Sequence, residues 1–220
     1  MSCPSTTKWT RDANMRKVKL FLHRVVGHIL CRMHWFCWDV RDILSPPKET
    51  SVLFVTHPDD DTLFFHTFIK KHKPYVVVMT AGHSVNRLRC FLKNMRRYGV
   101  RCRAYDQGTD DTREYIVRRR VRHVLDLGNF ELCATHNAQG EYGHPMHICV
   151  HNAVRAEAKC PIVVPEAQET IMDYPIPEAE AAEKRNIFLE IYNSELFVLD
   201  LWPNWLEHEH LVHLSPTKGS

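Results

Sequence analysis

The chain has 220 residues, 44% hydrophobic and 25% charged, with a formal net charge of +3. That balance is near the average for globular domains and long enough to bury a sizeable core, so it fits one large domain, or one domain with an extension. The charge is too small to argue for nucleic acid, and no run of about 18 apolar residues suggests a membrane-spanning helix.

Two residue types add to this. Histidine is the compositional outlier at 15 copies, which raises the odds of a metal site. Eight cysteines are scattered without a Cys-x-x-Cys pair, which excludes a disulfide framework and a zinc finger. With a polar start and no signal-peptide pattern, the expectation is reduced thiols and a cytoplasmic protein.

In chain order, residues 1–14 read as disordered. Residues 15–48 read as a helical extension, in which Val18, Phe21, Leu22, Val25, Val26, Ile29, Leu30, Met33 and Phe36 recur at three- and four-residue steps. This stripe suits a helix docked on the domain. The opposite face, with Lys19, His23, Arg24 and His28, leaves peripheral membrane contact through residues 17–40 open. Pro46 and Pro47 end the segment.

From Ser51 the rhythm is strand, helix, strand. Val52–Thr56 and Tyr75–Thr80 read as buried strands, and Thr62–Lys71 and Asn86–Tyr98 as helices, the second stopped by Gly99. Arg101–Tyr105 suits a short third strand. Ile116–Leu125 suits a strand pair or a helix, with Arg118-Arg119-Arg120 on a solvated face. Then come a helix at 147–158, a strand at 161–165, a long helix at 178–194 and a last strand at 196–201, with a tail after residue 205. The alternation predicts an α/β fold: a Rossmann-like three-layer sandwich with a mostly parallel sheet. Ligands in such sheets bind beyond the carboxyl ends of the strands.

One such end carries His57-Pro58-Asp59-Asp60-Asp61, an imidazole and three carboxylates that repel one another unless a cation or strong donors hold them. Downstream, Glu141-Tyr142-Gly143-His144-Pro145-Met146-His147 adds two imidazoles. Two histidines and a carboxylate with an open position form a common catalytic zinc set, and a spare carboxylate can act as general base. Spacing alone does not say which of Asp59 and Asp60 binds the metal. The same ligand types also make the facial triad of non-haem iron oxygenases, but the spare Asp beside a parallel-sheet strand end suits hydrolysis better.

The first cluster resembles Ala-His-Pro-Asp-Asp-Glu, a signature of the LmbE-like (PIG-L) zinc N-deacetylases. Gly140-Glu141-Tyr142-Gly143-His144-Pro145-Met146-His147 resembles the second signature, Gly-x-Tyr-Gly-His-Pro-Asp-His. Thr80-Ala81-Gly82, Arg87, Tyr98-Gly99-Val100, Lys184 and Asn193-Ser194-Glu195 resemble further elements in order, so the likeness spans residues 50–200. The family removes acetyl from N-acetylglucosamine units on inositol, lipid or thiol-precursor aglycones.

The resemblance implies an LmbE-like domain over residues 49–205 acting on an N-acetylated sugar or glycoconjugate. It implies that His57, Asp60 and His147 bind Zn2+, or another divalent metal, and that Asp59 is the base. His144 is the protonated partner, Tyr142 a weaker candidate for the oxyanion side, and Arg87 the contact to the substrate head. Asp61, Cys90, Met146 and Glu195 depart from the pattern, at positions where Glu, Glu, Asp and Gln are usual. Those departures keep open a divergent or inactive member that only binds a sugar or nucleotide sugar.

Overall fold

The computed structural model describes residues 41–82, 84–105 and 113–214, together with Ile29 and Trp38. The expectations for residues 1–14, nearly all of the 17–40 helix, and most of the 106–115 loop lie outside the described residues.

The sheet has six strands: β1 (Ser51–Val55), β2 (Tyr75–Val78), β3 (Cys102–Ala104), β4 (Leu132–Thr135), β5 (Ile162–Pro165) and β6 (Leu211–His213). Their order is β3-β2-β1-β4-β5-β6; every pairing is parallel except β5 with β6. The fold is therefore α/β with a mostly parallel sheet. Strands β1, β2 and β5 are buried along their whole length because both faces are covered.

The side-chain period of two divides β1 between two cores. Leu53 and Val55 join Val76, Val78, Ala134 and Val163 on one face. Val52 and Phe54 join Tyr75, Val77, Cys133 and Val164 on the other. The first face is covered by α1 (Asp60–His72), α2 (Val85–Tyr98) and the helix Glu178–Glu190. The second is covered by α3 (Glu114–Leu125) and the helix Pro145–Glu157. This makes three layers, in which each fully buried Leu, Val or Phe contributes about 1.5–3 kcal/mol.

Local signals fix the helix ends. Ser84 Oγ accepts from Arg87 N–H at the start of α2, and Gly99 ends it at φ +67°, a left-handed value that suits glycine. Ahead of β1, the Asp42 carboxylate is fully buried and accepts from Tyr75 and Arg103 at 2.7 and 2.8 Å, tying the preceding segment to the sheet edge. Among the described residues no helix is long and apolar enough to cross a membrane, and the described cysteines are free thiols.

The structure differs from the sequence expectation in four places. The 116–125 segment, left open between strands and helix, lies in helix α3. The helix expected over 178–194 stops at Glu190. The expected last strand at 196–201 is a helix, Phe197–Leu201, following a 3-10 turn at Asn193–Glu195. Within it only Val198 is buried, so the run lacks the alternating burial a strand needs. Finally, the sheet extends past residue 205, because β6 pairs antiparallel with β5 where the sequence suggested a tail.

Candidate metal centre

The strand order reverses between β1 and β4, so their carboxyl ends open the crevice where α/β sheets bind ligands. Each of the two strands delivers a histidine there: His57 shortly after β1 and His136 directly after β4.

The turn after β1 is closed by its own side chains. His57 N–H donates to Asp60 Oδ2 at 2.7 Å, which holds imidazole and carboxylate on one turn. Asp60 and Asp61 occupy the first turn of α1, where the helix dipole favours negative charge. Asp61 faces inward. It accepts from Thr62 N–H at 2.8 Å and from Asn94 Nδ2 and Tyr192 Oη at 3.0 Å, so it anchors the turn to α2 and to the chain after the 178–190 helix.

The loop after β4 is built around Glu141. Its backbone sits at φ 57°, ψ −66°, a conformation rarely adopted by a residue with a side chain. Asn137 holds it there: its Oδ1 accepts the N–H groups of Gln139 and Glu141 at 3.0 Å, and its own N–H donates to Glu141 Oε1 at 2.8 Å. Gly140, at φ +69°, leaves no room for a side chain, since a Cβ would lie 2.9 Å from Ile148. A short helical turn, α4 (Gly140–Gly143), then leads into α5 (Pro145–Glu157), with Pro145 in its first turn.

Three donor atoms from these turns form a nearly equilateral triangle. His57 Nδ1 to Asp60 Oδ2, His147 Nε2 to Asp60 Oδ2 and His147 Nε2 to His57 Nδ1 each measure 3.4 Å. A tetrahedral zinc with ligand distances of about 2.0–2.1 Å needs donors about 3.3–3.4 Å apart. The protons support the same reading. His147 Nδ1–H donates to Glu141 Oε2 at 2.7 Å, which aims Nε2 at the Asp60 carboxylate. An imidazole nitrogen and a carboxylate brought together in a buried site need a proton or a cation between them. The residues present therefore fit a metal ion.

Glu141 supports a second imidazole as well. His136 Nδ1–H donates to Glu141 Oε2 at 3.0 Å, while its Nε2 accepts Thr56 N–H at 2.9 Å. The Glu141 carboxylate thus ties His136 and His147 together behind the triangle, the arrangement that carboxylates take behind metal-ligating histidines. Burial alone would push Glu141 up; the two imidazoles pull it down to about 2.

The two neighbouring aspartates are driven apart. Burial pushes Asp60 up, but His147, His136 and His57 outweigh it and hold the carboxyl well below its ordinary range. Asp59 is raised to about 6 by burial first and by the Asp60 charge second, against the pull of His57 and Arg87. Asp59 sits at the N-cap of α1 without capping it, and its Oδ1 accepts from Arg87 Nη2 at 3.3 Å. Of the two, Asp60 lies in the triangle and Asp59 beside it.

The remaining predicted residues gather around the same point. The His144 ring lies 5.0 Å from that of His57 and 4.5 Å from that of His147. Its Nδ1 accepts Met146 N–H at 3.2 Å, so in this arrangement the ring carries its proton on Nε2. The Met146 side chain itself is buried in the core on the α3–α5 face. Tyr142 stacks on Trp202 at 4.2 Å and meets the His147 ring edge at 5.4 Å. Arg87, expected at the substrate head, contacts Asp59 and, at 3.1 Å, Glu195.

Sequence reasoning missed His136, and it quoted Glu141 without giving it a role. A signal for His136 existed: Leu132-Cys133-Ala134-Thr135-His136 repeats the pattern of an apolar run ending in histidine seen at Val52–His57. No protein-family model matches this chain, and no curated protein matches it.

Proposed function

We propose that this chain is a zinc-dependent N-deacetylase of the LmbE-like (PIG-L) kind, which removes the acetyl group from an N-acetylglucosamine-type sugar or sugar conjugate. The observation that carries this reading is the 3.4 Å triangle of His57, Asp60 and His147, with a second carboxylate, Asp59, on the same turn and outside the triangle. Three protein ligands with an adjacent unligated carboxylate suit hydrolysis.

When bound, zinc supplies Lewis acidity to the amide carbonyl and to the attacking water. Asp59 takes the proton from that water as the C–O bond forms. His144, with its proton on Nε2, donates a hydrogen bond to the oxyanion that develops. Asp59 then delivers the proton to the amine nitrogen as the C–N bond breaks, giving acetate and a free amine. Glu141 keeps His147 in the ligating tautomer throughout. Arg87 holds the Asp59 carboxylate in place.

One observation favours a second reading, a member that binds a sugar without turning it over. The Met146 side chain is in the core, so position 146 offers His144 a backbone N–H and no carboxylate. Incubating the zinc-loaded full chain with N-acetylated sugars, sugar nucleotides and sugar–lipid conjugates separates the two. Free amine released from at least one class is the expected result. Saturable binding without release of amine from any class overturns the deacetylase reading.

A further inference from the structure

Arg87 is where the substrate site carries a positive charge. Among the described residues it is the only Arg or Lys that ion-pairs with the turn holding Asp59, Asp60 and Asp61. A guanidinium in that position is suited to a carboxylate or phosphate, which it grips through paired N–H donors. Here two of its three nitrogens already face carboxylates. Nη2 lies 3.3 Å from Asp59 Oδ1, and Nε lies 3.1 Å from Glu195 Oε1.

Glu195 comes from a different part of the chain, the 3-10 turn Asn193–Glu195, and its carboxylate is nearly buried, with 12% of the side chain exposed. Its contact with Nε is within ion-pair distance, and Arg87 Nε makes no hydrogen bond. Glu195 therefore meets Arg87 through charge. A residue placed only to orient the guanidinium would align with its N–H.

We propose that Glu195 fills the anion position on Arg87, so that the site selects substrates with an uncharged head and disfavours phosphate-bearing ones. The proposal rests on the reading of this site as a sugar-binding one. An incoming phosphate has to displace Glu195 or lie beside both Glu195 and Asp59, and in a half-buried site that like-charge contact is weakly screened. Glu195→Gln keeps the shape of the side chain and removes the charge, which frees Arg87 for an anion. Glu195 is thus a specificity-determining residue, and the reacting atoms are left to the zinc ligands and Asp59.

The test is calorimetric titration of inorganic phosphate into the zinc-loaded full chain. Glu195→Gln and Glu195→Ala are both expected to bind phosphate at least about tenfold more tightly than the wild type. The double variant Arg87→Gln/Glu195→Gln is expected to lose that gain, which separates binding at Arg87 from phosphate binding at the metal. Wild-type affinity equal to that of both single variants, or a gain that survives loss of Arg87, overturns the proposal. A parallel assay compares turnover of N-acetylglucosamine with that of its phosphorylated form. The expected shift toward the phosphorylated sugar in Glu195→Gln is also about tenfold. If neither sugar is turned over by any variant while the phosphate result holds, the deacetylase reading fails and the role of Glu195 on Arg87 stands.

Discussion

Two clusters in this molecule look alike on paper: His57, Asp60 and His147 at the strand ends, and His66, Glu180 and Glu183 between α1 and the 178–190 helix. Both join histidine to carboxylate within metal-binding reach. The second already contains a cation. Lys70 Nζ lies 2.8 Å from Glu180 Oε2 and 2.6 Å from Glu183 Oε2. Both ring nitrogens of His66 are also engaged, Nδ1 by Tyr98 Oη at 2.7 Å and Nε2 by Glu180 at 2.9 Å. In the first cluster, among the described residues, no Lys or Arg ion-pairs with Asp60, and His147 Nε2 faces its carboxylate at 3.4 Å. Proximity of donors is therefore a poor guide by itself. What separates a metal site from an ion-pair network is whether the protein's own protons and cations already satisfy the donors.

That contrast is breakable. The largest effect is expected from His57→Ala and His147→Ala, which should each abolish stoichiometric zinc and all turnover, while His66→Ala leaves about one zinc per chain by elemental analysis. Zinc retained in both ligand variants and lost in His66→Ala would reverse the assignment of the two clusters. Next, Asp59→Asn should keep the metal and lower kcat by about 10²–10⁴, the range of a general base. A loss of zinc there would make Asp59 a ligand. Glu141→Gln is expected to weaken zinc affinity by about 10–100-fold in a chelator competition, because His147 loses the carboxylate that fixes its tautomer.

The smallest effect belongs to the second cluster. Burial first, and then the Lys184 charge, depress His66 to about 4; Lys70 adds to this, and Glu183 and Glu180 oppose it. Below its ordinary value of about 6.5 the unfolded chain binds a proton that the folded chain refuses. The contribution of His66 is therefore full above about 6.5 and lost as pH falls toward about 4, with a slope of at most about 1.4 kcal/mol per pH unit. Denaturant midpoints measured across that window in wild type and His66→Gln should converge as the pH falls. Parallel curves would mean that His66 is not held neutral by its surroundings.

Much of this architecture is legible in the sequence, and the exceptions have physical causes. The strands β1 and β2 read clearly because Val, Leu, Phe and Tyr run without interruption where both faces are covered. The strand β4 does not: Leu-Cys-Ala-Thr is short and poor in β-branched residues, and only its pairing with β1 and β5 makes it a strand. The run at 196–201 is as apolar as a strand, and short apolar runs do not distinguish strand from helix. In the fold, β6 takes the edge beside β5, and the 197–201 segment packs as a helix.

The strand-end triangle is legible for a different reason. His57 and Asp60 share one turn and His147 starts a helix, so local spacing nearly sets their directions. The support by Glu141 is not legible. It depends on a backbone held at φ 57° by Asn137 and on a histidine delivered by a strand that the sequence barely marks. The pairing of Arg87 with Glu195 is similarly hidden, because it joins residues more than a hundred positions apart.

The central claim is that the strand-end triangle, and not the α1 cluster, holds the zinc. Anomalous scattering from crystals of the full chain, recorded at the zinc absorption edge, tests it most directly. The expected result is one peak about equally distant from His57 Nδ1, Asp60 Oδ2 and His147 Nε2, with none near Lys70. A peak between His66, Glu180 and Glu183, or a zinc-equilibrated crystal with no peak at the triangle, would contradict the account.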